Sequence, residues 1–108
     1  LTYTIAGHPG DGNFHIIPLM DLKDLKTRPI ILELSDKIYD LVLQYHGSIT
    51  AEHNDGIIRT PHLSKLFKKP VLDLFSKTEA IFDPDDIFNP GKKVNPRFDI
   101  KESIRHTN

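Results

Sequence analysis

Residues 7–15 read Gly7-His8-Pro9-Gly10-Asp11-Gly12-Asn13-Phe14-His15. Three glycines, a proline, an aspartate and an asparagine are loop-forming residues. On either side stand β-branched and aromatic runs. Leu1 to Ala6 (LTYTIA) and Phe14 to Met20 (FHIIPLM) both read as strands. The expectation is an antiparallel hairpin with a wide, glycine-rich loop.

Working outward, Asp21 to Thr27 is polar and loop-like. Pro29 then suits the first turn of a helix. Ile30, Leu34, Ile38, Leu41 and Tyr45 recur at helical spacing, with Ile31 and Val42 widening the stripe. Gly47 is a good residue to end that helix. Ser48 to Glu52 (SITAE) is short enough for a third strand, and Asn54-Asp55-Gly56 for a turn. Leu63 to Phe67 reads as a short helical turn before Pro70. A second helix follows, with Val71, Leu74, Phe75, Thr78 and Phe82 on one side, and Asp83-Pro84 stops it. The fold class is therefore α+β: a small antiparallel sheet with helices on one face, in the order strand, strand, helix, strand, helix. Residues 1–82 form the body and residues 83–108, rich in Pro, Asn, Gly and Lys, an extended tail. Leu1 opens the chain inside a strand, so a longer polypeptide is expected upstream. With so thin a domain, apolar edges are left for self-association.

The 108 residues carry 14 basic and 15 acidic side chains, a formal charge of −1. No basic face is implied, so a nucleic-acid partner is not expected. With no cysteine, disulfides, thiolate metal sites and cysteine nucleophiles are excluded within this chain. No apolar run approaches the roughly 20 residues of a membrane span. The expected location is the cytoplasm, with peripheral attachment to a membrane left open.

Two constellations offer chemistry. His8 and His15 bracket the glycine loop, and a hairpin can bring its ends together around one divalent ion such as zinc, given a third ligand. Glu52 and His53 precede a tight turn. Adjacent strand residues point to opposite faces, so both reach one site only if the strand ends or bulges there. Glu52 could then complete a metal set, and His53 could act as a base. Taken alone, each pair is more economically a solvated loop. Arg59 and Lys92 could meet a carboxylate or phosphate, but lone basic residues are usually solvated. His46, His62 and His106 read as surface residues; Tyr3, Phe67 and Phe75 read as core. No serine or cysteine sits in an activated-nucleophile context, which leaves a hydrolase poorly supported.

Three segments in order, GHPGDGNFH at 7–15, AEHNDG at 51–56 and DPDDIFNPGK at 83–92, resemble the C-terminal domain of the FAD-linked oxidases of the vanillyl-alcohol oxidase type. That group includes glycolate oxidase, D-lactate dehydrogenase and D-2-hydroxyglutarate dehydrogenase. The resemblance implies part of a ferredoxin-like cap domain over a flavin held mainly by an upstream FAD-binding domain. It implies a divalent metal, zinc by the donor set, on His8, His15 and Glu52. It implies His53 as the base and Asn89 in the tail that returns to the FAD domain. The implied reaction is metal-assisted oxidation of a small 2-hydroxy acid, of D-lactate or glycolate type, to the 2-oxo acid, with the isolated piece inactive. Asn54 stands where the family often has glycine, and it tolerates the same left-handed turn. Ile17 stands where some 2-hydroxyglutarate enzymes carry a polar residue, which speaks against that substrate. Arg59-Thr60-Pro61 looks more like large bacterial members that add an iron–sulfur domain. The competing reading is a non-catalytic metal-binding or dimerising α+β module.

Overall fold

The computed structural model describes residues 2–104; the reading of His106 falls outside them. Two strands, β1 (Tyr3–His8) and β2 (Asn13–Pro18), pair antiparallel. A long helix α1 (Thr27–Gln44) follows, then α2 (Gly56–Arg59), α3 (Leu63–Leu66), α4 (Lys69–Phe82) and a terminal turn of helix α5 (Ile100–Ser103). This is an α+β arrangement with one small antiparallel sheet. Among the described residues, no helix is long and apolar enough to cross a membrane.

The hairpin forms as its sequence dictates. Pro9–Asp11 make a single 3-10 turn, and Gly12 at φ 65° closes it through its N–H to Pro9 O at 3.1 Å. Gly7, at φ 132°, lies where an added Cβ would collide with the Asn13 carbonyl. Only glycine meets both demands there.

The third strand does not form. Ala51–His53 turn instead, with Asn54 N–H donating to Ala51 O at 2.9 Å. Ser48 explains the departure. Its hydroxyl donates to Thr50 O at 2.8 Å and accepts from Thr50 N at 3.1 Å. Such local bonding competes with a sheet ladder. The end of α1 also differs from expectation. His46, not Gly47, takes the left-handed conformation (φ 58°), and Gly47 N–H then reaches Val42 O at 2.9 Å.

Packing rotates both predicted helix faces. On α1 the inward residues include Ile31, Leu34, Ile38 and Val42, while Ile30, Leu41 and Tyr45 are exposed. On α4 Leu72 and Phe75 are half-buried, whereas Val71, Leu74 and Phe82 are exposed. The Phe67 and Phe75 rings meet edge to face at 5.2 Å. Tyr3, expected in the core, is 57% exposed. Among the described residues β1 is exposed along its whole length, and a cleft of about 990 Å³ lies between β2 and α1. His62 is not a bare surface residue, for its ring packs on Tyr39 at 5.0 Å. The tightest packing is elsewhere, at Ile49, Leu63 and Val94.

Nor is the tail extended. It runs as successive turns, beginning where the Asp83 carboxylate accepts from the N–H groups of Ile87 (3.0 Å) and Phe88 (2.7 Å). Asp86, Asn89, Gly91, Lys93 and Asn95 all have positive φ. Val94 then buries itself against the body.

The hairpin geometry yields a prediction. Gly7→Ala should destabilise by about 1–3 kcal/mol through forced backbone strain. Gly10→Ala, whose Cβ would meet nothing, should be close to neutral. Paired thermal melts of the two variants check this.

Candidate metal and proton-transfer site

The register of the hairpin explains how its histidines meet. Ala6 pairs with His15, and His8 pairs with Asn13. Directly opposed residues share a face, and so do residues two apart. His8, Asn13 and His15 therefore project from the same side of the hairpin end. The Ala51–His53 turn crosses this face. Because the chain turns rather than running as a strand, Glu52 and its neighbour His53 are both able to point at it.

Glu52 is the hub. Its Oε1 lies 2.7 Å from His15 Nε2 and 3.4 Å from His53 Nε2; its Oε2 lies 3.4 Å from His8 Nε2. The Asn13 side-chain amide donates to Oε2. The His15 and His53 rings sit 4.9 Å apart, tilted by 48°. His15, Glu52 and His53 each offer a ligand atom, all within 4.8 Å of one another. His8 stands on the far oxygen and is more exposed, at 64% against 24% for His15.

The donor set fits a borderline divalent cation. A tetrahedral zinc with bonds of roughly 2.0–2.1 Å keeps its ligand atoms roughly 3.3 Å apart, which is the scale of the spacings around Glu52. Electrostatics agree. Partial desolvation pushes the Glu52 carboxyl upward, but the His15 hydrogen bond and the charges of His8, His15 and His53 outweigh it, leaving it below its usual range. That direction favours the ionised form, which is the form a cation would need.

Asn89 is not part of this cluster. It occupies a left-handed turn (φ 52°), and its side-chain oxygen accepts from Lys92 Nζ at 3.1 Å. Among the described residues Arg59 pairs with no carboxylate; its Nη1 donates to Asn54 O at 2.6 Å, holding the turn after His53, and it lines the cleft that His15 and His53 also line. Sequence reasoning overlooked Asn13. Its signal was present, since it stands two residues before His15 in the same strand and so on the same face.

A depressed folded-state pKa makes the ionised carboxylate favour the fold. That contribution is present above the unfolded value and is lost as pH falls through the folded one. In a carboxyl-¹³C titration, Glu52 should turn over below an ordinary glutamate. His15→Ala should move it upward; an unmoved midpoint would remove His15 as the dominant stabilising partner.

Comparison with known proteins shows the family of the chain. The family model described as "FAD linked oxidases, C-terminal domain" matches residues 1–93. The glycolate oxidase subunit GlcD of Bacillus subtilis is 34% identical over 86 residues, covering 80% of this chain and 18% of that protein. A D-2-hydroxyglutarate dehydrogenase of Haemophilus influenzae is 30% identical over 104 residues, covering 96% and 10%. The mitochondrial D-lactate dehydrogenase [cytochrome] of Arabidopsis thaliana is 31% identical over 96 residues, covering 89% and 17%. The chain thus spans less than a fifth of the length of these relatives. No solved structure matches it significantly. The chain belongs to the family of the FAD-linked oxidases, as part of their C-terminal domain.

Proposed function

We propose that this chain supplies the metal-holding and proton-handling side of a flavin-dependent oxidoreductase acting on a small 2-hydroxy acid. The observation that carries the reading is the convergence of His8, His15, His53 and Asn13 on the single carboxylate of Glu52. His8, His15 and Glu52 are assigned as ligands of a divalent ion, zinc by its donor set, and His53 as the base. When bound, the ion would polarise the substrate's hydroxyl and carboxylate, and the flavin would accept the α-hydrogen with its electron pair.

The residues present then have distinct tasks. His8, His15 and Glu52 would hold the ion. Asn13 orients the Glu52 carboxylate by its amide. His53, beside Glu52 but on the turn, receives the hydroxyl proton on a ring nitrogen. Ile17 shares the face of His15 and offers no polar side-chain atom. That favours a substrate with a short or apolar side chain, of lactate or glycolate type. FAD is assigned mainly to an upstream domain of the same polypeptide. Asn89 is the candidate contact from this chain. With its oxygen engaged by Lys92, its amide donors have no bond among the described residues. Residues 1–82 serve as the cap portion and 83–108 as the returning tail. The exposed apolar side chains of β1 and β2, including Ile5, Phe14 and Ile16, are assigned to cover by the remainder of the polypeptide, and to self-association when it is missing.

The test is a set of single variants in the full-length protein, assayed with a panel of 2-hydroxy acids and an artificial electron acceptor. His15→Ala and Glu52→Ala should lose zinc by calorimetry and lose activity with it. His53→Gln should keep zinc and lower kcat by about 10²–10⁴. Zinc lost in His53→Gln but kept in His8→Ala would exchange the two roles. A colourless full-length protein with no turnover of any 2-hydroxy acid would favour the non-catalytic module instead. The 108-residue chain alone should be colourless and inactive.

A further inference from the structure

Glu52 and His53 lie on a segment that has no strand to hold it, and the residues that fix it come from the tail. Asp55 follows two residues after His53, and its side chain is completely buried. Both of its oxygens are engaged. Thr50 Oγ donates to Oδ1 at 2.6 Å, which staples residues 50–55 into one loop. Lys93 Nζ, arriving from the tail, donates to Oδ2 at 2.6 Å and also reaches Asn54 Oδ1 at 3.3 Å. The ammonium lies over the Phe75 and Phe67 rings, at 5.1 and 5.9 Å from their centres. The Lys93 backbone is fixed as well. Its N–H donates to Thr60 Oγ at 2.7 Å, and that hydroxyl donates in turn to Gly56 O at 2.5 Å. Val94, the next residue, is buried.

We propose that the ion pair between buried Asp55 and half-buried Lys93 is a positioning latch, through which the tail holds the 50–56 loop so that Glu52 and His53 face the hairpin. The inference rests on the metal-site reading given above for its consequence, and on the contacts of Asp55 and Lys93 for its existence. Neither residue touches the candidate ion; they act through the loop. A buried carboxylate is tolerated only with a partner. Docking of Lys93 and closure of the loop are therefore one event. The tail is then part of the site rather than a strap passing over it, and a chain ending before residue 93 leaves Asp55 without its cation.

The test uses the full-length protein and three variants. Lys93→Met removes one partner and leaves Asp55 alone; because that variant risks misfolding, Asp55→Asn with Lys93→Met removes both charges together. Lys93→Arg keeps the cation. Hydrogen–deuterium exchange read by mass spectrometry reports on residues 50–56 without any metal. Exchange there should quicken at least about tenfold in the double variant while the β1–β2 hairpin keeps its protection, and Lys93→Arg should restore most of the difference. Zinc affinity by calorimetry should fall about 10–100-fold, the usual effect of losing a residue that orients a ligand. Unchanged exchange in the loop, or zinc affinity within twofold of the parent, would overturn the latch. Faster exchange spread equally over hairpin and loop would also overturn it, because that is general destabilisation. If the parent protein itself binds no zinc, the metal reading falls, and the latch is decided by the exchange data and the Lys93→Arg rescue.

Discussion

Three imidazoles and one amide converge on the carboxylate of Glu52, and they reach it from two segments that share no hydrogen-bonded ladder. The hairpin brings His8, Asn13 and His15 to one face by register alone. The turn at Ala51–His53 brings the carboxylate. Neither half makes a site without the other, so the geometry depends on how firmly the turn is held in place. That firmness comes from satisfied polar groups: buried Asp55 accepts from Thr50 and Lys93, and buried Thr60 accepts from the Lys93 N–H.

Apolar burial is concentrated differently. The buried apolar side chains are Leu63 on α3, Ile49 in the 48–50 segment and Val94 in the tail. The hairpin stands across the cleft facing α1. A two-stranded sheet is marginal by itself in water. Its side chains at Tyr3, Ile5, Phe14 and Ile16 remain 49–58% exposed. The half of the candidate site that carries His8, Asn13 and His15 is thus mounted on the element with the least local support. The Glu52 contacts, spanning 37 to 44 positions of sequence, tie it to the 51–53 turn.

Much of this was legible in the residues. The hairpin, the start of α4 at Pro70 and its stop at Asp83 follow from punctuation by Gly, Pro and Asp. The long helix α1 followed from periodicity, although its inward face is turned toward Ile31 and Val42 instead of Ile30 and Tyr45. Periodicity cannot choose between adjacent stripes when the helix has apolar residues on both. The supposed strand at 48–52 was misread because Ser48-Ile49-Thr50 has strand-like composition, while its hydroxyl bonds close on themselves. Of the site, His8, His15, Glu52 and His53 stood out by residue type and motif order. Asn13 was passed over as a loop former. Asp55 and Lys93 were not legible as a pair, because 38 residues separate them and each alone looks like an ordinary surface charge.

The sequence distance across the His15–Glu52 contact has a further meaning. An ion seated between these residues would close a loop of the chain, acting as a removable cross-link between the hairpin and the 51–53 turn. Closing such a loop costs chain entropy that grows only slowly with its length. Unlike a disulfide, the ion would bind the folded arrangement and not the unfolded chain, so that cost would be met from its binding free energy and the remainder would add to stability. In a chain without cysteine, occupancy of that one coordination site would join the hairpin to the 51–53 turn without a covalent bond, and a chelator would undo the link.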